Sequence, residues 1–228
     1  MDFPGLESRL AMVQDRILHH QGKGGWTHPV RIVAVTKTHG ADAVRAAVAA
    51  GLHDVGENRV QEALAKQELL PDVAVRWHLI GSLQRNKARH AAGRFALIHS
   101  VDRLELADEL ARRVPGGARQ AVLVEVNCSG EAQKGGVEPG MLPALLERIA
   151  ALPALELRGL MTMAPFTSDE SAQRAAFSRL RAERDRMQAA GHPLPELSMG
   201  MSGDFPVAVE EGATIVRLGT LLFGERQP

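Results

Sequence analysis

Three short stretches carry residues suited to chemistry. Lys37 follows the apolar run Ile32-Val33-Ala34-Val35 and a threonine. With its stem in low-dielectric surroundings, its amine is freed to attack an aldehyde, although a lone lysine at such a place ordinarily snorkels to solvent. The second stretch is Ser198-Met199-Gly200-Met201-Ser202-Gly203, ahead of a helix expected at 204–211. Glycine lets a backbone N–H approach a phosphate closely, and a helix N-terminus adds a favourable dipole; taken alone, the stretch also reads as an ordinary turn. The third is Val216-Arg217-Leu218-Gly219-Thr220. Arg217 alternates with two apolar residues, so it should project away from them into a barrel mouth, where a buried guanidinium needs an acceptor.

Other features carry less. His20-Gln21-Gly22-Lys23-Gly24-Gly25 has glycines and a lysine but lacks the spacing and hydroxyl of a phosphate loop, and reads as a connector. The nine histidines fall in no metal-binding spacing. Cys128 has no base beside it and reads as a packed thiol. His78, in Trp77-His78-Leu79-Ile80, faces either a ligand or satisfied partners in the core. The charges from Arg179 to Arg186 read as a solvated helix face.

The elements that must position these residues alternate. Strands are expected at 31–37, 53–57, 76–81, 96–101, 121–127, 156–162, 196–200 and 214–218, with helical patterns between them, several closing on glycine at Gly51, Gly93 and Gly191. Leu6, Leu10, Val13 and Ile17 mark an additional N-terminal helix that gives way to a Gly-rich loop beginning at His19. Strands alternating with helices pair in parallel. Eight such units favour a single α/β domain over residues 1–228, a TIM-type (β/α)₈ barrel; an open doubly wound sheet is the alternative. In such a barrel function sits where the strands end, which also brings forward Glu57-Asn58, Gly81-Ser82, Asn127-Cys128 and Met163 to Pro165. The loops after strands seven and eight commonly share a phosphate, so the second and third stretches should lie side by side.

Composition narrows the classes. The chain has 228 residues, 45% of them hydrophobic, and Lys plus Arg balance Asp plus Glu at 27 each. That neutrality gives no electrostatic reason to expect a nucleic acid partner. No apolar stretch approaches the length of a membrane span, the start has no signal-peptide pattern, and one cysteine cannot form an intrachain disulfide. The expectation is a cytoplasmic protein, with a monomer favoured over a dimer.

Read together, the motifs resemble those of the pyridoxal phosphate homeostasis proteins, which are similar to the barrel domain of alanine racemase. The matching stretches are Ala34 to Thr38, Gly56-Glu57-Asn58 with Val60-Gln61-Glu62, Trp77 to Gly81 with Leu83-Gln84 and Asn86-Lys87, Leu157 to Met161, Leu197 to Ser202, and Val216 to Thr220 with Phe223-Gly224. The resemblance implies pyridoxal 5′-phosphate (PLP) held as a Schiff base on Lys37. It implies that Ser198, Gly200, Met201, Ser202, Gly219 and Thr220 surround the phosphate, that Arg217 lies near the pyridine nitrogen, and that Asn58 neighbours the ring or its 3′ oxygen. Arg59 departs from the pattern, which more often has an aromatic residue there.

Two roles compete for such a site. One is buffering, protecting or delivering PLP, with apo forms of PLP-dependent enzymes as recipients. The other is a PLP enzyme such as an amino-acid racemase. Arginine stays protonated and donates to the ring nitrogen, which leaves the ring a poor electron sink. Alanine racemase has a similar arginine but adds a tyrosine on the opposite face, and this chain contains no tyrosine. The carrier role is therefore expected. A Schiff-base aldolase on the same fold would explain a lysine and a phosphate site but not the full set of motifs.

Overall fold

The computed structural model describes residues 3–131 and 135–224. Eight strands close into a barrel in chain order: β1 Arg31–Val35, β2 Asp54–Glu57, β3 Arg76–Leu79, β4 Leu97–Val101, β5 Gln120–Glu125, β6 Leu155–Met161, β7 Glu196–Ser198 and β8 Ile215–Leu218. Neighbours pair in parallel throughout, and β1 closes on β8 through Arg31 to Ala34 against Ile215 to Leu218. All eight strands fall inside or beside the intervals expected from the sequence, and the closure excludes the open sheet.

The helices between them are α2 Ala41–Ala49, α3 Val60–Leu69, α4 Ala88–Ala91, α5 Leu104–Arg113, α6 Leu142–Ala150, α7 Glu170–Ala189 and α8 Phe205–Glu210; α1 Leu6–Gly24 precedes the barrel and α9 Thr220–Phe223 follows it. Each turns an apolar stripe inward, as Leu106, Ala107 and Leu110 of α5 do. Most buried apolar residues thus form one layer between helices and barrel. A second, smaller cluster of Val33, Leu97, Leu123, Met161 and Ile215 fills the barrel interior, as the alternation of strand residues requires. Gly51, Gly93 and Gly191 take the left-handed conformation expected of helix-closing positions.

Several boundaries differ from the sequence reading, and two of them bear on the site. α1 does not give way to a loop at His19 but continues through the glycines to Gly24. Its last turn is tied down by tertiary partners: His20 Nδ1 meets Glu210 Oε1 at 2.7 Å, and Gln21 Nε2 donates to the His28 carbonyl at 2.5 Å. Such contacts outweigh the poor helix propensity of glycine. The first strand stops at Val35, so Lys37 stands in the turn beyond it.

Candidate functional site

The C-terminal strand ends open into a cavity of about 1390 Å³. Lys37, Asn58, Met201, Ser202, Arg217, Gly219 and Thr220, all singled out in the sequence, line it. Val35 and Ile80 add apolar wall. Lys37 is half-buried and Thr220 is exposed at the rim.

The turns after β7 and β8 do lie side by side. Ser202 Oγ accepts from the N–H groups of Gly219 and Leu221, each at 3.3 Å, and so stitches one turn to the other. With its lone pairs engaged, the Ser202 hydroxyl keeps its proton for an anion. The Met201 N–H donates to Asp204 Oδ1 at 2.5 Å, which folds the turn back on itself. Gly200 permits this path: its φ is 92°, and a Cβ would lie 2.6 Å from that of Ala208. α8 is only six residues long, so its dipole is weaker than the sequence suggested, and the hydroxyls of Ser202 and Thr220 are the more direct donors.

Arg217 projects inward from β8, opposite to Val216 and Leu218, and is 4% exposed. Its Nη1 donates to Ser198 Oγ at 2.6 Å and its Nη2 to the Thr162 carbonyl at 2.9 Å, while its backbone N–H meets the Gly200 carbonyl at 2.9 Å. Both side-chain acceptors are neutral, and remaining N–H groups of the fork are left to face the cavity. Burial pushes the guanidinium down to about 10, against the opposing pull of Asp204 and Glu125, so it stays a cation at neutral pH. Ser198 and Gly200 are not among the residues lining the cavity, and both bond to Arg217, Ser198 through its hydroxyl and Gly200 through its carbonyl.

Lys37 is flanked by a buried polar clamp that the sequence did not reveal. Lys66 Nζ, on α3, donates to Glu57 Oε1 at 2.6 Å, to the Thr36 carbonyl at 2.8 Å and to Glu62 Oε1 at 3.1 Å. Thr36 Oγ1 donates to Glu57 at 2.5 Å, and the Thr38 N–H to Glu62 at 2.6 Å. Thr38 has φ 68°, which a branched residue adopts only under constraint. The clamp on both neighbours supplies that constraint and fixes where the Lys37 side chain leaves the backbone.

Of the weaker sequence candidates, His78 is a satisfied core residue, bound on both ring nitrogens. Cys128 is buried, and burial pushes its thiol up to about 11, so it is not a nucleophile at neutral pH. Neither lines the cavity. Glu125, which the sequence reading passed over, does. Burial, reinforced by Asp102 and opposed by Arg217, pushes its carboxyl up to about 7. The signal was present: Glu125 is the single charge in the run Ala121 to Val126. Among the described residues, no group of three or more His, Cys, Asp or Glu could hold a metal.

These residues suit an aldehyde bearing a phosphate and a basic ring nitrogen. Lys37 offers the amine, Ser202 and Thr220 offer hydroxyl donors, Arg217 offers a donor that does not give up its proton, and Val35 and Ile80 offer apolar contact.

A closed (β/α)₈ barrel with this lysine and paired turns defines a class. Residues 20–227 match the family described as alanine racemase, N-terminal domain. Over 224 residues the chain is 46% identical to the pyridoxal phosphate homeostasis protein of Aquifex aeolicus, covering 96% of this chain and 97% of that one. It is 50% identical over 198 residues to the protein of that name from Pseudomonas aeruginosa, covering 86% and 85%. The structure of PipY from Synechococcus elongatus with PLP bound superposes with a TM-score of 0.84 at 40% identity, covering 96% of this chain and all of that one. Within the racemase-domain family, the chain belongs to the pyridoxal phosphate homeostasis proteins.

Proposed function

We propose that the protein binds PLP through a Schiff base on Lys37 and serves PLP homeostasis by buffering, protecting or delivering the cofactor. The observation that carries this is the convergence of Lys37, Arg217 and the stitched Ser202–Gly219 turns on one cavity. PLP supplies an aldehyde that condenses reversibly with an amine. Ser202, Met201, Gly219 and Thr220 would hold its phosphate, Arg217 would donate to its ring nitrogen, and Asn58 would neighbour the ring or its 3′ oxygen. Ser198 and Gly200 contribute by fixing Arg217. The clamp of Lys66, Glu57 and Glu62 would keep Lys37 aimed, so that the amine is presented without searching.

Delivery implies recipients, and apo forms of PLP-dependent enzymes are the fitting class. A cytoplasmic monomer agrees with the neutral charge balance and the single buried cysteine. Among the described residues, no helix is long and apolar enough to cross a membrane.

The test is a visible spectrum of purified protein with PLP, followed by borohydride reduction and peptide mapping. The reduced adduct should lie on Lys37, and Lys37→Ala should remain folded while losing the Schiff-base absorbance. Adduct chiefly on Lys87, or on Lys134, which lies outside the described residues, would overturn the assignment.

A further inference from the structure

A chain of buried hydrogen bonds runs from the floor of the cavity to the opposite end of the barrel. Arg217 Nη1 donates to Ser198 Oγ at 2.6 Å. Ser198 Oγ lies 2.9 Å from His99 Nδ1, His99 Nε2 lies 2.9 Å from His78 Nδ1, and His78 Nε2 lies 2.9 Å from Asp54 Oδ1. Ser198, His99, His78 and Asp54 are all buried, at 5% exposure or less. Asp54 opens β2 at the bottom of the barrel, where Arg76 grips it through Nε at 2.9 Å and Nη2 at 2.5 Å.

We propose that Asp54, His78 and His99, acting through Ser198, are positioning residues that set the orientation of Arg217 from the far end of the barrel. The chemistry of the two ends fixes the direction of the protons. Arginine only donates, and an ionised carboxylate only accepts. Burial works to raise the Asp54 carboxyl, but bonds from Arg76 and His78 outweigh it and hold it well below the ordinary range, so it is ionised. Burial above all, with the Arg217 cation nearby, holds His99 well below its usual value, so it is neutral. In the proposed relay each ring carries one proton and every link donates toward Asp54: Arg217 to Ser198, Ser198 to His99, His99 to His78, and His78 to Asp54. Both rings are then Nε2–H tautomers. If His78 Nδ1 donated instead, His99 would reverse and the Ser198 hydroxyl would turn elsewhere. The aligned chain leaves Ser198 one acceptor position, filled by Arg217, and so locks the plane of the guanidinium.

The consequence for the cofactor rests on the reading of Arg217 as the partner of the PLP ring; the relay itself does not. It is tested first in ligand-free, ¹⁵N-histidine-labelled protein at neutral pH by NMR, with His99 assigned through His99→Leu and Ser198→Ala. Both rings should show a bare Nδ1 and a protonated Nε2. An imidazolium at position 78, or an Nδ1–H tautomer at either position, overturns the relay whether or not PLP binds. Next, His99→Leu and Ser198→Ala are titrated with PLP. Each should melt cooperatively, bind PLP about tenfold more weakly, and show a displaced absorbance band. A folded His99→Leu with unchanged affinity and band overturns the positioning role. Should that variant not fold, Ser198→Ala, which removes a single hydroxyl, decides the point. Wild-type protein that binds no PLP would instead overturn the functional reading, leaving the tautomers to judge the relay.

Discussion

The ammonium of Lys66 lies 2.6 Å from Oε1 of Glu57, and both side chains are buried. The same nitrogen reaches the Thr36 carbonyl and Glu62, and Glu62 holds the Thr38 N–H, so one cation ties down both neighbours of Lys37. Breaking a buried pair by removing one partner costs on the order of 3–5 kcal/mol, because a charge is left uncompensated. Lys66→Met should lower unfolding stability by that order. Adding Glu57→Gln should restore much of it, since no buried charge then lacks its partner. Neither variant should recover the rate at which PLP reacts with Lys37, because the Thr36 carbonyl has lost its donor and Glu62, which holds Thr38, has lost its tether. Denaturant unfolding and stopped-flow absorbance measure the two effects; a Lys66→Met protein with wild-type stability and rate would remove the clamp from the account.

The phosphate side of the cavity separates two hydroxyls by their surroundings. Thr220 is exposed, whereas Ser202 also receives the N–H groups of Gly219 and Leu221. A hydrogen bond to a charged group contributes roughly 1.5–3 kcal/mol, so each alanine variant should weaken PLP binding by roughly ten- to hundredfold. Ser202→Ala should be the more severe, since it also unfastens the two turns. Pyridoxal lacking the phosphate should bind far more weakly than PLP. Equal affinity for the two forms, read by titration, would move the phosphate site elsewhere.

Glu125 gives the ligand-free protein a pH dependence of definite sign. Its carboxyl is raised from 4.5 to about 7 by burial, so between those values the folded state holds a proton that the unfolded state has lost. Stability therefore falls as pH rises through that window, and levels off above it. The loss attributable to this one group is on the order of 3 kcal/mol. Glu125→Gln should flatten the dependence between pH 4.5 and 7 relative to wild type. Parallel stability profiles for the two proteins would show that Glu125 is solvated in solution.

Much of this arrangement was legible in the chain. The strand intervals follow from short apolar runs, and the alternation Val216-Arg217-Leu218 alone places Arg217 on the inner face. The adjacency of the Ser202 and Gly219 turns followed from the closure of an eight-stranded barrel. What escaped were pairings across strands and layers. His78, His99, Ser198 and Asp54 come from four different strands, and their contact depends on barrel register and tilt, which no local pattern encodes. Lys66 reads on sequence as an ordinary helix lysine; only the packing of α3 against the ends of β1 and β2 buries it beside Glu57. The final turn of α1 was lost for a related reason: its glycines argue for a loop, and the partners that overrule them, Glu210 and the His28 carbonyl, are supplied by other segments.

The site should not racemise amino acids at an enzyme-like rate, even with PLP on Lys37. Racemisation removes a proton from one face of Cα and returns one to the other, and each face needs a group of suitable pKa within hydrogen-bond reach. Lys37 serves one face. The chain has no tyrosine for the other. His78 and Cys128 are withdrawn from the cavity, the first into the hydrogen-bond chain and the second with a thiol pushed up to about 11. Glu125 is an acid-base candidate in the cavity, with a carboxyl poised at about 7; His20, Glu170 and Asp204 also line it, but His20 is paired with Glu210 and Asp204 holds the Met201 N–H. Against Glu125 stands Arg217, a cation at every pH below its value of about 10, which donates to a ring nitrogen rather than protonating it. The electron demand that stabilises a Cα carbanion is then weak, and a well-placed acid does not make up for it. PLP-loaded protein incubated with L-alanine in D₂O should show Cα deuteration only at the rate of free PLP, and Glu125→Gln should leave that rate unchanged. Steady inversion at or above roughly 1 s⁻¹, the low end of ordinary enzymes, would overturn the carrier reading, and its loss in Glu125→Gln would name the second base.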